Sequence, residues 1–282
     1  MHETRVGIVI PSFESGPMVA EAAASARDCL GGTDDVVVVD DGSTDRRSLQ
    51  VLEGLRRDGF TVHRQANAGV SVARNRGLAS LRTPYAFVLD SDDLIEPGAA
   101  TIAADLLDAD ADIAIVAGAG IDFTGTAPDP GDPAVSPGEV TRRDMWRSSR
   151  IATASAFRVE DWASSGGFPP GVAVGEDWVF WLRLLRDGGR VLTADAVFVR
   201  HRLHAGQVTR RPIDPRESAK AANLVLRENP DLALEHAEDL FDELCRARTT
   251  LAAYRHAYRR PDLVKARVHS FLRAAQRRRE RG

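Results

Sequence analysis

Within its first 120 positions the chain carries runs of almost unbroken apolar character: RVGIVI at 5–10, DVVVV at 35–39, YAFVL at 85–89 and DIAIVAG at 112–118. A strand with one face in water alternates apolar and polar residues. A run without alternation must be covered on both faces, the state of a strand inside a parallel sheet. Between the runs the apolar residues follow the helical period, which predicts helices over 18–30, 47–57, 70–81 and 97–107, with a short strand, TVHR, at 61–64. Strand alternating with helix predicts the α/β class. Open sheets of this kind bind ligands beyond the carboxyl ends of their strands, so the residues after each run carry the functional information.

Those residues are polar. The first run leads into Pro11-Ser12-Phe13-Glu14, the second into Asp40-Asp41-Gly42-Ser43 and the third into Asp90-Ser91-Asp92-Asp93. Three carboxylates within four positions repel one another by several kcal/mol in a desolvated site unless a cation is present. A divalent ion accounts for them, and oxygen ligands suit Mg2+ or Mn2+. An acidic surface loop is the other reading of the same residues. In the second loop, Ser43 or Thr44 is expected to cap the next helix, with Gly42 taking an unusual backbone angle. That leaves Asp40 and Asp41 unexplained, and a carboxylate at a strand end can accept the imide N–H of uracil or grip ribose hydroxyls.

The rest of the chain bounds the class. With 282 residues, 43% hydrophobic and 28% charged, it is an ordinary globular protein that needs no disulfide framework. Cys29 and Cys245 lie in helical contexts and are expected to be packed free thiols in a reducing compartment. A net charge of −4 gives no reason to seek nucleic acid. The N-terminus lacks a leader pattern and no run is long enough to cross a bilayer, so a cytoplasmic protein is expected. A Pro- and Gly-rich loop is expected at 122–138, followed by mixed helix and strand over 140–211. From Pro215 the pattern is helical, over 219–226, 232–258 and 263–277, with Pro230 and Pro261 as breakers. The end is basic, with Arg273, Arg277, Arg278, Arg279 and Arg281. It reads as a solvated helix end or as a contact for anionic lipid or an acidic partner.

Taken together, VIPSFE (9–14), VVVVDDGSTD (36–45), NAGVSVARNRGL (67–78), YAFVLDSDDLIEP (85–97), the Gly166-Gly167-Phe168 turn, GEDWVFWLRLL (175–185) and VRHRLHAGQVT (199–209) resemble a family 2 glycosyltransferase of GT-A fold. The resemblance covers about residues 5–210. It implies a mixed central sheet flanked by helices, with a nucleotide-binding half at about 1–120 and an acceptor half at about 121–212. Residues 213–282 lie outside the resemblance and are expected to form a C-terminal helical extension that packs on the catalytic domain or on a second copy of the chain, or contacts a membrane surface.

The resemblance also implies roles. Pro11, Ser12 and Glu14 would line the base, Asp40 and Asp41 would meet uracil and ribose, and Arg74 and Asn75 would lie beside nucleotide and sugar. Asp90 and Asp92 match the Asp-x-Asp of the family, with Ser91 between them; Asp92, Asp90 and His204 would hold Mn2+ or Mg2+. Asp177 matches the catalytic base. Glu14 stands where the family most often has Asn, and Gln207 where a Ser is usual after the Gly.

The chemistry agrees with those roles. A cation neutralises the diphosphate as the C1–O bond breaks, and an acceptor hydroxyl needs a carboxylate to take its proton. Asp177 alone would read as an acid favoured by a helix N-terminus. Trp181 reads as core, whereas Trp178 is either core or a platform for a sugar. His201 falls in what reads as a loop. The expected activity is inverting transfer from a UDP-sugar to an acceptor hydroxyl. A nucleotidyltransferase usually carries a basic phosphate loop after its first strand, and 11–16 holds no Lys or Arg. A scaffold without catalysis would have little use for the metal carboxylates and Asp177 together, and no G-x-G-x-x-G supports a dinucleotide enzyme.

Overall fold

The computed structural model describes residues 5–125, 135–207 and 214–253. The chain divides into two compact units, Met1–Asn229 and Pro230–Gly282. In the first unit, β1 (Val6–Ser12), β2 (Val36–Asp40), β3 (Thr61–Arg64) and β4 (Tyr85–Val88) alternate with α1 (Met18–Leu30), α2 (Arg46–Arg57) and α3 (Val70–Leu78). Then follow β5 (Leu94–Ile95), α4 (Ala99–Ala109), β6 (Ile113–Phe123), β7 (Ala156–Arg158), α5 (Val159–Ser165), α6 (Glu176–Leu184), β8 (Arg190–Arg202) and α7 (Pro215–Glu228).

One eight-stranded sheet runs β3-β2-β1-β4-β7-β6-β8-β5. The first four strands are parallel, so the ends of β1, β2 and β4 open on one edge. β7 pairs antiparallel with both β4 and β6, and β5 antiparallel with β8. The sheet is therefore mixed, as expected. Val36, Val38 and Val39 are fully buried. Burying such a side chain contributes roughly 1.5–3 kcal/mol, which explains why unbroken valines make an interior strand. α3 lies close on β1 because residue 77 is glycine: a Cβ there would sit 2.3 Å from a Val9 methyl. This contact places Arg74 at the open edge.

Several local expectations change. Ser43 and Thr44 do not cap α2; Asp45 does, accepting from the N–H groups of Arg47 and Ser48, while Ser43 Oγ accepts from the Glu14 N–H. His201 lies on β8 rather than in a loop. Cys29 is partly buried, but Cys245 is exposed instead of packed. α7 packs on α6 within the first unit, which runs to Asn229. In the second unit, α8 (Pro230–Glu235) is followed by helical residues 237–253, with Leu240, Phe241, Leu244 and Leu251 exposed. The proposed helix at 263–277 and the basic terminus lie outside the described residues. Among the described residues no helix is long and apolar enough to cross a membrane.

Candidate active site

The strand-end loops are tied to one another before any ligand is considered. Asp40 is buried, and its Oδ1 accepts from the Ser43 N–H at 3.0 Å. Its Oδ2 makes no hydrogen bond, although Arg64 Nε lies 3.3 Å away. A buried carboxylate oxygen without a hydrogen bond is costly and suits an incoming donor. Asp41 is occupied: it accepts from Gln65 Nε2 and from the N–H groups of Ala68 and Gly69, at 2.8–2.9 Å. It therefore shapes the loop that enters α3.

Glu14 adopts φ 49°, unusual for a residue with a side chain, and its carboxylate accepts from the Thr44 N–H and hydroxyl and from the Asp45 N–H. It staples the first loop to the second. Pro11 and Ser12 are buried at the end of β1. Ser12 Oγ donates to Ser15 Oγ, which is 2.8 Å from Ser91 Oγ, so a chain of hydroxyls links the first loop to the acid loop.

In the acid loop each carboxylate has its own partner. Asp90 Oδ1 accepts from Arg74 at 2.7 Å; Asp92 Oδ2 lies 2.9 Å from His204 Nε2. Asp93 is buried, with Oδ2 2.9 Å from His201 Nδ1 and Oδ1 accepting from the Arg202 N–H. Burial pushes the Asp93 carboxyl above the usual range.

Among the described residues no cluster of three or more His, Cys, Asp or Glu could hold a metal unaided. The donor set nevertheless fits a divalent ion that keeps open positions. Octahedral ligands at about 2.0–2.1 Å from Mg2+ stand about 2.9 Å apart, and such ions are held by one or two carboxylates plus substrate phosphates. The Asp92 and His204 pair has that spacing. The Gly206 N–H donates to His204 Nδ1 at 3.1 Å, which puts the ring proton on Nε2, facing Asp92. Ligation through Nε2 requires the other tautomer and release of Nδ1 by the Gly206 peptide.

Arg74 joins the two halves of the unit. It is buried, donating to Asp90 and, at 2.6 Å, to Glu176 Oε1, with its guanidinium 5.1 Å from the Phe168 ring centre. Burial alone would lower its pKa, but Asp90 and Glu176 raise it, so it is a fixed cation. Asp177 follows Glu176 in the first turn of α6. Burial, with help from the Glu176 charge, pushes its carboxyl up to about 6. Asn75 is occupied elsewhere: Nδ2 donates to the Phe168 carbonyl, and Oδ1 accepts from the Phe168 N–H and from Trp162 Nε1. Gly167 is required beside it, since a Cβ there would meet Asn75 Oδ1 at 2.6 Å. Trp181 is core; Trp178 is half-buried and donates its indole N–H to the Met145 carbonyl.

The structure thus brings Pro11, Ser12, Glu14, Asp40, Arg74, Asp90, Ser91 and Asp92 together around the strand ends. It turns the side chains of Asp41 and Asn75 into supports. Glu176 and Arg202 were not singled out from the sequence, and Asp93, read there as one of three carboxylates for a cation, pairs instead with His201 and the Arg202 N–H. Glu176 was signalled by its place beside Asp177, Arg202 only by its long-range partners.

A parallel βα half with carboxylates at its strand ends, continued by a mixed half, defines the GT-A class of α/β fold. The profile of glycosyl transferase family 2 matches residues 7–159, and the chain belongs to that family. Similar curated proteins include the uncharacterized glycosyltransferase EpsJ of Bacillus subtilis, 31% identical over 91 residues, which are 32% of this chain and 26% of EpsJ. Another is the poly(ribitol-phosphate) beta-N-acetylglucosaminyltransferase TarP of Staphylococcus aureus, 32% identical over 97 residues, 32% of this chain and 29% of TarP. The chain thus matches about a quarter to a third of their length.

Among solved structures, S. aureus TarS 1–349 in complex with UDP-GlcNAc superposes with a TM-score of 0.65 and 22% identity, over 79% of this chain and 66% of that one. The mannosyltransferase PcManGT of Pyrobaculum calidifontis, in complex with GDP-Man and Mn2+, gives 0.54 and 17%, over 89% and 81%. At these identities the likeness concerns the fold.

Proposed function

We propose that this chain is an inverting glycosyltransferase that moves a sugar from a UDP-sugar to an acceptor hydroxyl, dependent on Mg2+ or Mn2+, with Asp177 as general base. The observation that carries the reading is the Arg74 bridge. One buried guanidinium holds both Asp90, in the acid loop, and Glu176, the neighbour of a carboxyl raised to about 6. A base is most effective when its pKa lies near the working pH, and an ordinary aspartate is too weak for that. Donor and acceptor chemistry are thereby fixed on one frame.

In this reading Pro11, Ser12 and Asp40 receive the nucleoside, with Glu14 and Asp41 shaping the loops. Asp90 and Asp92 would hold the divalent ion, joined by His204 in its other tautomer, and Ser91 stays beside them. When bound, such an ion supplies charge neutralisation for the departing diphosphate. Asp177 takes the proton of the acceptor hydroxyl as its oxygen attacks C1; the C1–O bond breaks and its electron pair leaves with UDP. A single displacement inverts the anomeric centre. Membership of the family and the nucleotide-sugar complexes of the fold neighbours support the donor class. The free state of Cys29 and Cys245 is in keeping with the cytoplasm as its place of action.

The test is to incubate the protein with UDP-sugars and a panel of hydroxyl acceptors and to read the product by proton NMR. Release of UDP with an inverted anomeric proton is expected. Retained configuration, or no nucleotide release with any donor, contradicts the reading.

A further inference from the structure

Arg202, the last residue of β8, is buried at a junction of segments that reach the acid loop. Its Nε–H donates to the Asp92 carbonyl at 2.8 Å, and its backbone N–H to Asp93 Oδ1 at 2.9 Å. One terminal nitrogen pairs with Glu21 on α1 at 2.7 Å. The other reaches the Gly125 carbonyl, and the guanidinium lies 4.7 Å from the Phe123 ring centre. Gln207, half-buried in the following loop, closes the other side: its Nε2–H donates to the Arg202 carbonyl, and its Oε1 accepts from the His204 N–H at 3.3 Å.

Charge balance does not account for this arrangement. Arg202 spends its Nε on a neutral carbonyl, that of Asp92, and Gln207 carries no charge at all. What the two share is that each grips the main chain of one member of the Asp92 and His204 pair, through Arg202 as the common link. A serine at 207 is too short to bond both the Arg202 carbonyl and the His204 N–H. Gln207 holds the backbone of His204 rather than its ring, so this hold does not depend on the Gly206 N–H bond to Nδ1.

We propose that Arg202 and Gln207 are positioning residues that clamp Asp92 and His204 at the spacing of two adjacent ligands of a divalent cation, so that cation and diphosphate meet a preformed pair. This rests on the metal-dependent reading above. Supports that orient ligands typically change metal affinity by about 10–100-fold when removed.

The test is calorimetry of UDP binding, in Mn2+ and in chelator, for the wild-type chain, Gln207→Ala and Arg202→Lys. The ratio of the two affinities should fall by about 10-fold in Gln207→Ala and by up to about 100-fold in Arg202→Lys, within the range for such supports. In Gln207→Ala the affinity in chelator and the melting temperature should stay at the wild-type values. If Arg202→Lys does not fold, Gln207→Ala decides alone. A wild-type ratio in Gln207→Ala, or an equal loss of affinity in both buffers, overturns the clamp. Absence of any Mn2+ effect in the wild type overturns the functional reading, and the clamp with it.

Discussion

The parallel half of the sheet and the mixed half handle their acids in opposite ways. In the parallel half, Asp41 and Asp45 sit at loop or helix starts with backbone N–H groups aimed at their oxygens. In the mixed half, Asp177 is half-buried, next to Glu176, and accepts from the Trp178 N–H. The first set is satisfied and builds the loops; the second is desolvated and basic. The difference teaches where stability and reactivity are kept: the loops of the proposed donor site are held by acids whose loss should weaken the fold, and the proposed chemistry rests on an acid whose loss should strengthen it.

The largest effect is expected at the bridge between the halves. Arg74→Met leaves Asp90 and Glu176 without their buried cation, and breaking such a pair typically costs about 3–5 kcal/mol. Urea denaturation measures it; a loss below about 1 kcal/mol, the size of an exposed pair, would mean that Arg74 does not couple the halves. Next comes Asp41→Ala, which strands the Ala68 and Gly69 N–H groups and should cost about 2–3 kcal/mol by the same measurement, as charged hydrogen bonds do.

Asp177→Asn has the opposite sign. The folded-state carboxyl, at about 6, holds its proton more tightly than the ordinary value of 3.8. Its contribution is therefore fully present below about pH 4 and lost as pH rises through 6, leaving the ionised group as a penalty of about 1–2 kcal/mol at pH 7 to 8 after allowance for solvent screening. Thermal melts should show Asp177→Asn more stable than wild type at pH 7.5 and equal to it at pH 4; a variant less stable at both would break the contrast. The smallest effect is Asp45→Ala, which removes the cap of α2 and should lower the melting temperature slightly at neutral pH.

The two halves were also unequally legible. In the parallel half Val36–Asp40 and Tyr85–Val88 fall on the expected apolar runs, because every residue of both strands is buried and the unbroken run is the signal. In the mixed half β5 has two residues and β7 three, too short for any period to show. β8 alternates irregularly between buried and exposed positions, which disguised His201 as a loop residue. The motifs named the strand-end acids, Asp177, Arg74 and His204, yet not which of them touch. That Asp41 and Asn75 are consumed by backbone groups, and that Arg74 reaches Glu176 across 102 positions, follows from tertiary packing that no local spacing encodes.

The central claim, that donor binding and proton removal are divided between the halves, is tested most directly by comparing sugar transfer and UDP affinity in Asp177→Asn at pH 7.5 with Mn2+. Transfer should fall by roughly 10²-fold or more, the scale of a positioned base, while UDP affinity stays at the wild-type value. Near-normal transfer, or a fall in UDP affinity that matches the fall in transfer, would contradict it.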